Sequence, residues 1–161
     1  MITKDLVSEI LTCIDTVKKT LEQDKKDVLK AFRIRAREAP SIIFTNGLTY
    51  TIVYMASRSS AEAVELGLSK SKCEEVLNDL LIKHKGDVGV EKFSHALYIS
   101  LFSYLLNKAV SIQHPSDKAV SASTSKFTAF VDRSLKDPVL EKTALDISEW
   151  MKRIAEALIP S

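Results

Sequence analysis

Six apolar residues near the C-terminal end of the chain, Leu140, Ala144, Ile147, Met151, Ile154 and Leu158, follow one another at spacings of four, three, four, three and four. Only a helix places such positions on one side, so this stretch must bury a single face against neighbouring helices. Asp137-Pro138 precedes it, a side-chain cap followed by a residue whose missing N–H suits a first helical turn. Residues 90–110 are apolar almost all round, with Leu97, Ile99, Leu101, Phe102, Tyr104, Leu105 and Leu106. That pattern fits a central helix covered on every side. Only four glycines and four prolines occur among 161 residues, too few for a sheet with many tight turns. The fold expected is therefore all-α: a compact bundle of about five to seven helices in a single domain over residues 1–161. A chain of this length buries roughly 70% of its unfolded surface.

At the N-terminal side Thr3 can cap a helix whose first turn carries Asp5. Val7, Ile14, Leu21 and Val28 then recur every seven residues, accompanied by Ile10, Val17 and Ala31, with Asp24 the one polar intruder. This register predicts one long N-terminal helix over residues 3–37, about 50 Å at ~1.5 Å per residue. It ends in a cluster of arginines and breaks at Pro40. Ile42–Tyr54 then alternates apolar and smaller residues around Asn46-Gly47, which taken locally signals a β-hairpin. An isolated hairpin is marginal and the chain offers no further strands, which weighs against it; read as a helix, the segment makes Gly47 a packing notch. Ser71-Lys-Cys-Glu74 matches a capping box and opens a helix through Val76, Leu77 and Leu80 that Gly86 ends. Ser111–Ser125, with Pro115 and five serines, suits a surface connection into a helix carrying Phe127, Phe130 and Val131.

Net charge is uninformative, since 23 bases face 21 acids. Its distribution is not. Residues 18–37 hold Lys18, Lys19, Lys25, Lys26, Lys30, Arg33, Arg35 and Arg37 against Glu22, Asp24 and Asp27, a local excess of five positive charges. Guanidinium groups suit phosphate, and no aromatic residue interleaves the cluster to stack on bases. The chemistry favoured is sequence-blind contact with phosphate. A basic helix end also complements the helix dipole without any ligand.

Nothing in the chain suggests catalysis, a metal or a cofactor. His84 falls on an apolar helix face near a C-terminus, where an imidazolium is welcome; His95 lies in the first turns of the buried helix and His114 precedes a proline. None has a second ligand at metal-binding spacing, and no nucleophile elbow or phosphate-cradling loop occurs. Glu74, Glu75 and Asp79 suit a solvated helix face better than a carboxylate metal site, for which Glu-x-x-His pairs are wanted. Cys13 and Cys73 show no pairing or metal spacing and suit small buried residues of a reducing compartment. No signal peptide or membrane span is evident, and the expectation is a soluble cytoplasmic protein.

Ala39-Pro-Ser-Ile-Ile-Phe-Thr-Asn-Gly-Leu48 resembles the small subunit of the Cmr complex, the type III-B CRISPR RNA-targeting effector. Thr143-Ala-Leu145 and Trp150-Met-Lys-Arg-Ile-Ala155 are similar to the closing motifs of the same family, with Met151 in place of the usual Leu. The two segments cover about a quarter of the chain. The resemblance implies a helical subunit without catalytic activity, with Ile42–Tyr54 helical rather than a hairpin, several copies of which stack along the backbone subunits beside the guide–target RNA. It further implies RNA contacts at Arg33, Arg35 and Arg37 and at Lys152 and Arg153, with Pro40, Asn46, Gly47, Leu48 and Trp150 as structural positions. Lys18, Lys19, Lys25 and Lys26 join the candidates through the charge cluster. The implied partners are the other Cmr subunits, copies of the chain and guide or target RNA, with no membrane. The alternative is a helical regulator that dimerises through its first helix and never meets RNA; a small-molecule enzyme would need a buried ionisable constellation near His84 or His95.

Overall fold

The computed structural model describes residues 2–84, 88–110 and 125–161. Eight helices and no strand occur among them: α1 (Lys4–Leu21), α2 (Lys26–Asn46), α3 (Leu48–Ser57), α4 (Ala61–Ser69), α5 (Cys73–Lys83), α6 (Val90–Val110), α7 (Lys126–Lys136) and α8 (Pro138–Leu158). The all-α expectation holds, with one helix more than the upper estimate. Gly86, His114 and Pro115 lie outside the described residues.

Every residue from Phe93 to Leu106 of α6 is buried, which explains its all-round apolar sequence. Around it pack α1, α2, α3, α4, α5 and α8. The closest approach is to α4. A Cβ on Gly67 would meet the Ser100 carbonyl oxygen at 2.0 Å, so the two backbones touch and only glycine fits. On the other side α8 buries Leu140, Ala144, Ile147 and Met151 against α1, α2 and α6. Its start is as expected: the Asp137 carboxylate accepts from the Val139 and Leu140 N–H groups, with Pro138 in the first turn. Thr3 likewise caps α1 through the Leu6 N–H at 3.2 Å.

The single long N-terminal helix does not form. It breaks at residues 22–25, and α1 and α2 pack against each other. Glu22-Gln-Asp-Lys-Lys-Asp27 is six polar residues in a row, which no buried seam can use. Leu21 and Val28 are both buried, so the seven-residue register carries across the turn and conceals it. The seam of α1 is used up inside the chain, against α5, α6 and α8, which removes the basis for dimerisation through that helix.

Pro40 does not end the helix either. It lies inside α2, buried, and the helix continues to Asn46. The break comes at Gly47, whose φ of 90° is a left-handed conformation natural to glycine. Asn46-Gly47 is thus neither a hairpin turn nor a notch within one helix. It is a joint between two helices, and the Glu141 carboxylate on α8 accepts from the Leu48 N–H at 3.0 Å to cap the second of them.

Two further expectations are corrected. Lys72, not Ser71, precedes α5 as its cap residue, and its side chain makes no capping bond. The cysteines, sixty residues apart, are joined by a disulfide between α1 and α5 with Cα atoms 5.5 Å apart. They are not two separate reduced thiols. Helix packing creates the pairing, which linear spacing could not reveal.

Candidate nucleic-acid interface

Helix α2 sorts its charges by periodicity. At 3.6 residues per turn, Lys26, Lys30, Arg33 and Arg37 stand at i, i+4, i+7 and i+11, within roughly 60° of arc. The core-facing residues Val28, Leu29, Phe32, Ala36, Ala39, Pro40 and Ile43 occupy another sector. The stripe runs for about 16 Å at ~1.5 Å per residue, long enough to follow several backbone phosphates. Among the described residues none of its four bases is in an ion pair, and no acid of α2 lies within that arc. Lys26, Lys30 and Arg37 are exposed; Arg33 is half-buried, with its Nε shielded and unpartnered. Free, aligned guanidinium and ammonium groups can bind phosphate oxygens without reading bases.

The other candidates fall elsewhere. Arg35 is nearly half a turn away from the stripe, bonded to Glu38 at 3.3 Å, so the arginine trio does not act as one cluster. Lys18 and Lys19 close α1, and Lys19 pairs with Asp15 at 2.9 Å, a contact that also raises its pKa. Lys25 sits at the α1–α2 turn with its ammonium 5.9 Å from the centre of the Phe93 ring. On α8 Lys152 is half-buried and Arg153 exposed, and neither forms an ion pair. Lys30 completes the stripe although it was not singled out as a contact. Its i+4 spacing from Lys26 was the available signal.

Of the motif positions, Pro40 and Leu48 are buried and Gly47 forms the joint, whereas Asn46 is exposed and Trp150 is 43% exposed. Trp150 is therefore a surface residue.

His84 and His95 are packing residues. His95 is 1% exposed, and its Nδ1 lies 2.7 Å from the Glu91 carbonyl oxygen, so Nδ1–H donates and Nε2 keeps the lone pair. That Nε2 is buried without a partner. Burial lowers the pKa, and the charges of Arg35 and Arg58 add to the effect. His84, against the Phe93 ring at 4.9 Å, is also pushed down, first by desolvation and then by Lys92 and Lys83. An imidazolium is thus disfavoured there despite the helix end. Among the described residues no group of three His, Cys, Asp or Glu side chains could hold a metal ion. Glu74 and Glu75 are exposed, and Asp79 pairs with Lys70 at 2.8 Å.

The model of the family described as CRISPR-associated protein (Cas_Cmr5) matches residues 3–158. The chain belongs to this family. Nearly its whole length is included, extending the resemblance of two short motifs to all eight helices. Cmr5 proteins are small subunits of the type III-B Cmr complex, so this chain is a Cmr subunit that associates with other Cmr subunits. Neither the curated proteins nor the solved structures gave a match. No helix among the described residues is long and apolar enough to cross a membrane.

Proposed function

We propose that this Cmr5-family chain is a non-catalytic, single-domain subunit of the cytoplasmic antiviral ribonucleoprotein that lines the path of its guide or target RNA. The α2 stripe is the observation that carries the reading. Lys26, Lys30, Arg33 and Arg37 have no acidic partner to neutralise them, and together they offer the spread positive charge that phosphate contact needs. In guided recognition, base pairing reads the sequence and protein holds only backbone and duplex shape. One copy binds weakly, and repetition along a stack supplies affinity through effective concentration.

Stacking needs an apolar surface, and exposed apolar side chains on α2, α3, α7 and α8 are the candidates for it. Glu141 ties the α2–α3 joint to α8, and Thr49 and Ser134 bond across α3 and α7 at 2.8 Å. Within four residues of these contacts in sequence, Phe44, Tyr50, Leu135 and Val139 are exposed, Phe44 to 82%. These side chains are assigned to contact with a neighbouring Cmr subunit or a second copy.

Reconstitution of the complex with Lys26→Glu/Lys30→Glu/Arg37→Glu, and separately with Phe44→Ser/Leu135→Ser, tests both parts. The first variant should enter the complex but retain less RNA; the second should fail to enter it. Full RNA retention by the first and normal assembly of the second would refute the reading.

A further inference from the structure

The first turn of α5 is fastened in an unusual way. Lys72 provides no side-chain cap, Ser71 does not close a capping box, and the surrounding ion pairs, Lys70–Asp79 and Lys83–Glu62, are surface contacts of little strength. Two attachments hold the start of the helix in place. The Tyr104 hydroxyl on α6 donates to the Glu9 carboxylate of α1 at 2.5 Å and lies 3.3 Å from the Ser71 carbonyl oxygen, and the Cys13–Cys73 bond ties the first residue of α5 to the middle of α1. Both cysteines are buried, and they are the only two in the chain.

We infer that Cys13–Cys73 is a reversible redox latch on α5, which locks the start of that helix to α1 when oxidised and frees it to fray when reduced. The exchange is balanced by a dithiol of the thioredoxin class. Its thiolate attacks one sulfur, its second thiol resolves the mixed disulfide, and two electrons and two protons leave Cys13 and Cys73 as thiols. Glutathione disulfide runs the reaction backwards. The position of Cys73 suits this cycle. A thiolate at the first residue of an eleven-residue helix lies at the positive end of the helix dipole, which favours the anion once the bond is reduced. The rest of the fold does not depend on the bond. Val76, Leu77 and Leu80 remain buried beside α6, whose own packing lies against α2, α4 and α8. Reduction therefore loosens one turn and removes a sixty-residue cross-link from the unfolded chain, while the bundle persists.

The test uses the full chain equilibrated with glutathione disulfide or with a dithiol reductant, read by thiol titration in denaturant, thermal unfolding and amide exchange. Oxidised protein should yield no free thiol. Reduction should lower Tm by roughly 5–15 °C. It should speed exchange at residues 74–78 tenfold or more while residues 97–105 stay protected, and reoxidation should reverse both effects. Cys13→Ala/Cys73→Ala should behave like reduced protein and ignore reductant. Two free thiols after incubation with glutathione disulfide, or identical Tm and α5 exchange in both states, would overturn the latch. Unfolding of the whole bundle on reduction would also overturn it, by making the bond a global staple.

Discussion

Single atoms decide several features of this molecule. At Gly67 the missing Cβ lets α4 lie on the α6 backbone; Gly67→Ala would force a methyl group to within 2.0 Å of the Ser100 carbonyl oxygen. We expect a loss of about 1–3 kcal/mol or more, measured by urea unfolding, because backbone cannot yield as a flexible side chain would. Buried His95 and half-buried His84 give stability a pH dependence. Their pKa values are lowered in the fold, so below about 6.5, the ordinary histidine value, the unfolded chain binds protons that the native state refuses. Stability should be full above that pH and decline as pH falls towards the depressed values. His95→Phe should shallow the decline, and an unchanged slope in this variant would remove His95 from the account. Glycine at position 67 carries no mark in the sequence of what surrounds it, since α4 and α6 meet only in the fold.

At the scale of elements, periodicity was legible wherever a helix has one continuous environment. The seam of α8 and the all-round apolar α6 stand as their spacing predicts, and Asp137-Pro138 starts α8. Boundaries set by tertiary contact were not legible. The register from Val7 to Val28 passes unbroken through the turn at residues 22–25, and Pro40 is absorbed into α2. Gly47 becomes a joint because Glu141, ninety-three residues away, supplies the missing cap. This joint makes a paired prediction. Glu141→Gln should destabilise by about 0.5–2 kcal/mol, as an N-terminal cap loses its charge. Gly47→Ala should cost about 1–2 kcal/mol through the φ of 90° that a side chain resists, with a Cβ also 3.1 Å from the Glu141 carboxylate. Chemical denaturation of both variants checks the pair; two neutral outcomes would mean that the joint does not hold α3 in place.

For the whole molecule, a single cluster of buried residues joins all eight helices. Thermal unfolding should accordingly show one transition by both near- and far-UV circular dichroism, and two separated transitions would contradict a single domain. The proposed contact site was half legible. The excess of bases in residues 18–37 is visible in the sequence, but division of that charge between two helices is not, and Arg35 turns away to Glu38 while Lys30 joins the stripe. The most direct test of the central proposal is the salt dependence of RNA binding by the assembled complex, with and without Lys26→Glu/Lys30→Glu/Arg37→Glu. Each lost phosphate contact should lower the slope of log K against log salt by about one, so the variant should bind every RNA sequence more weakly with a slope smaller by about three. A variant with the parental slope and affinity would show that the α2 stripe does not touch RNA.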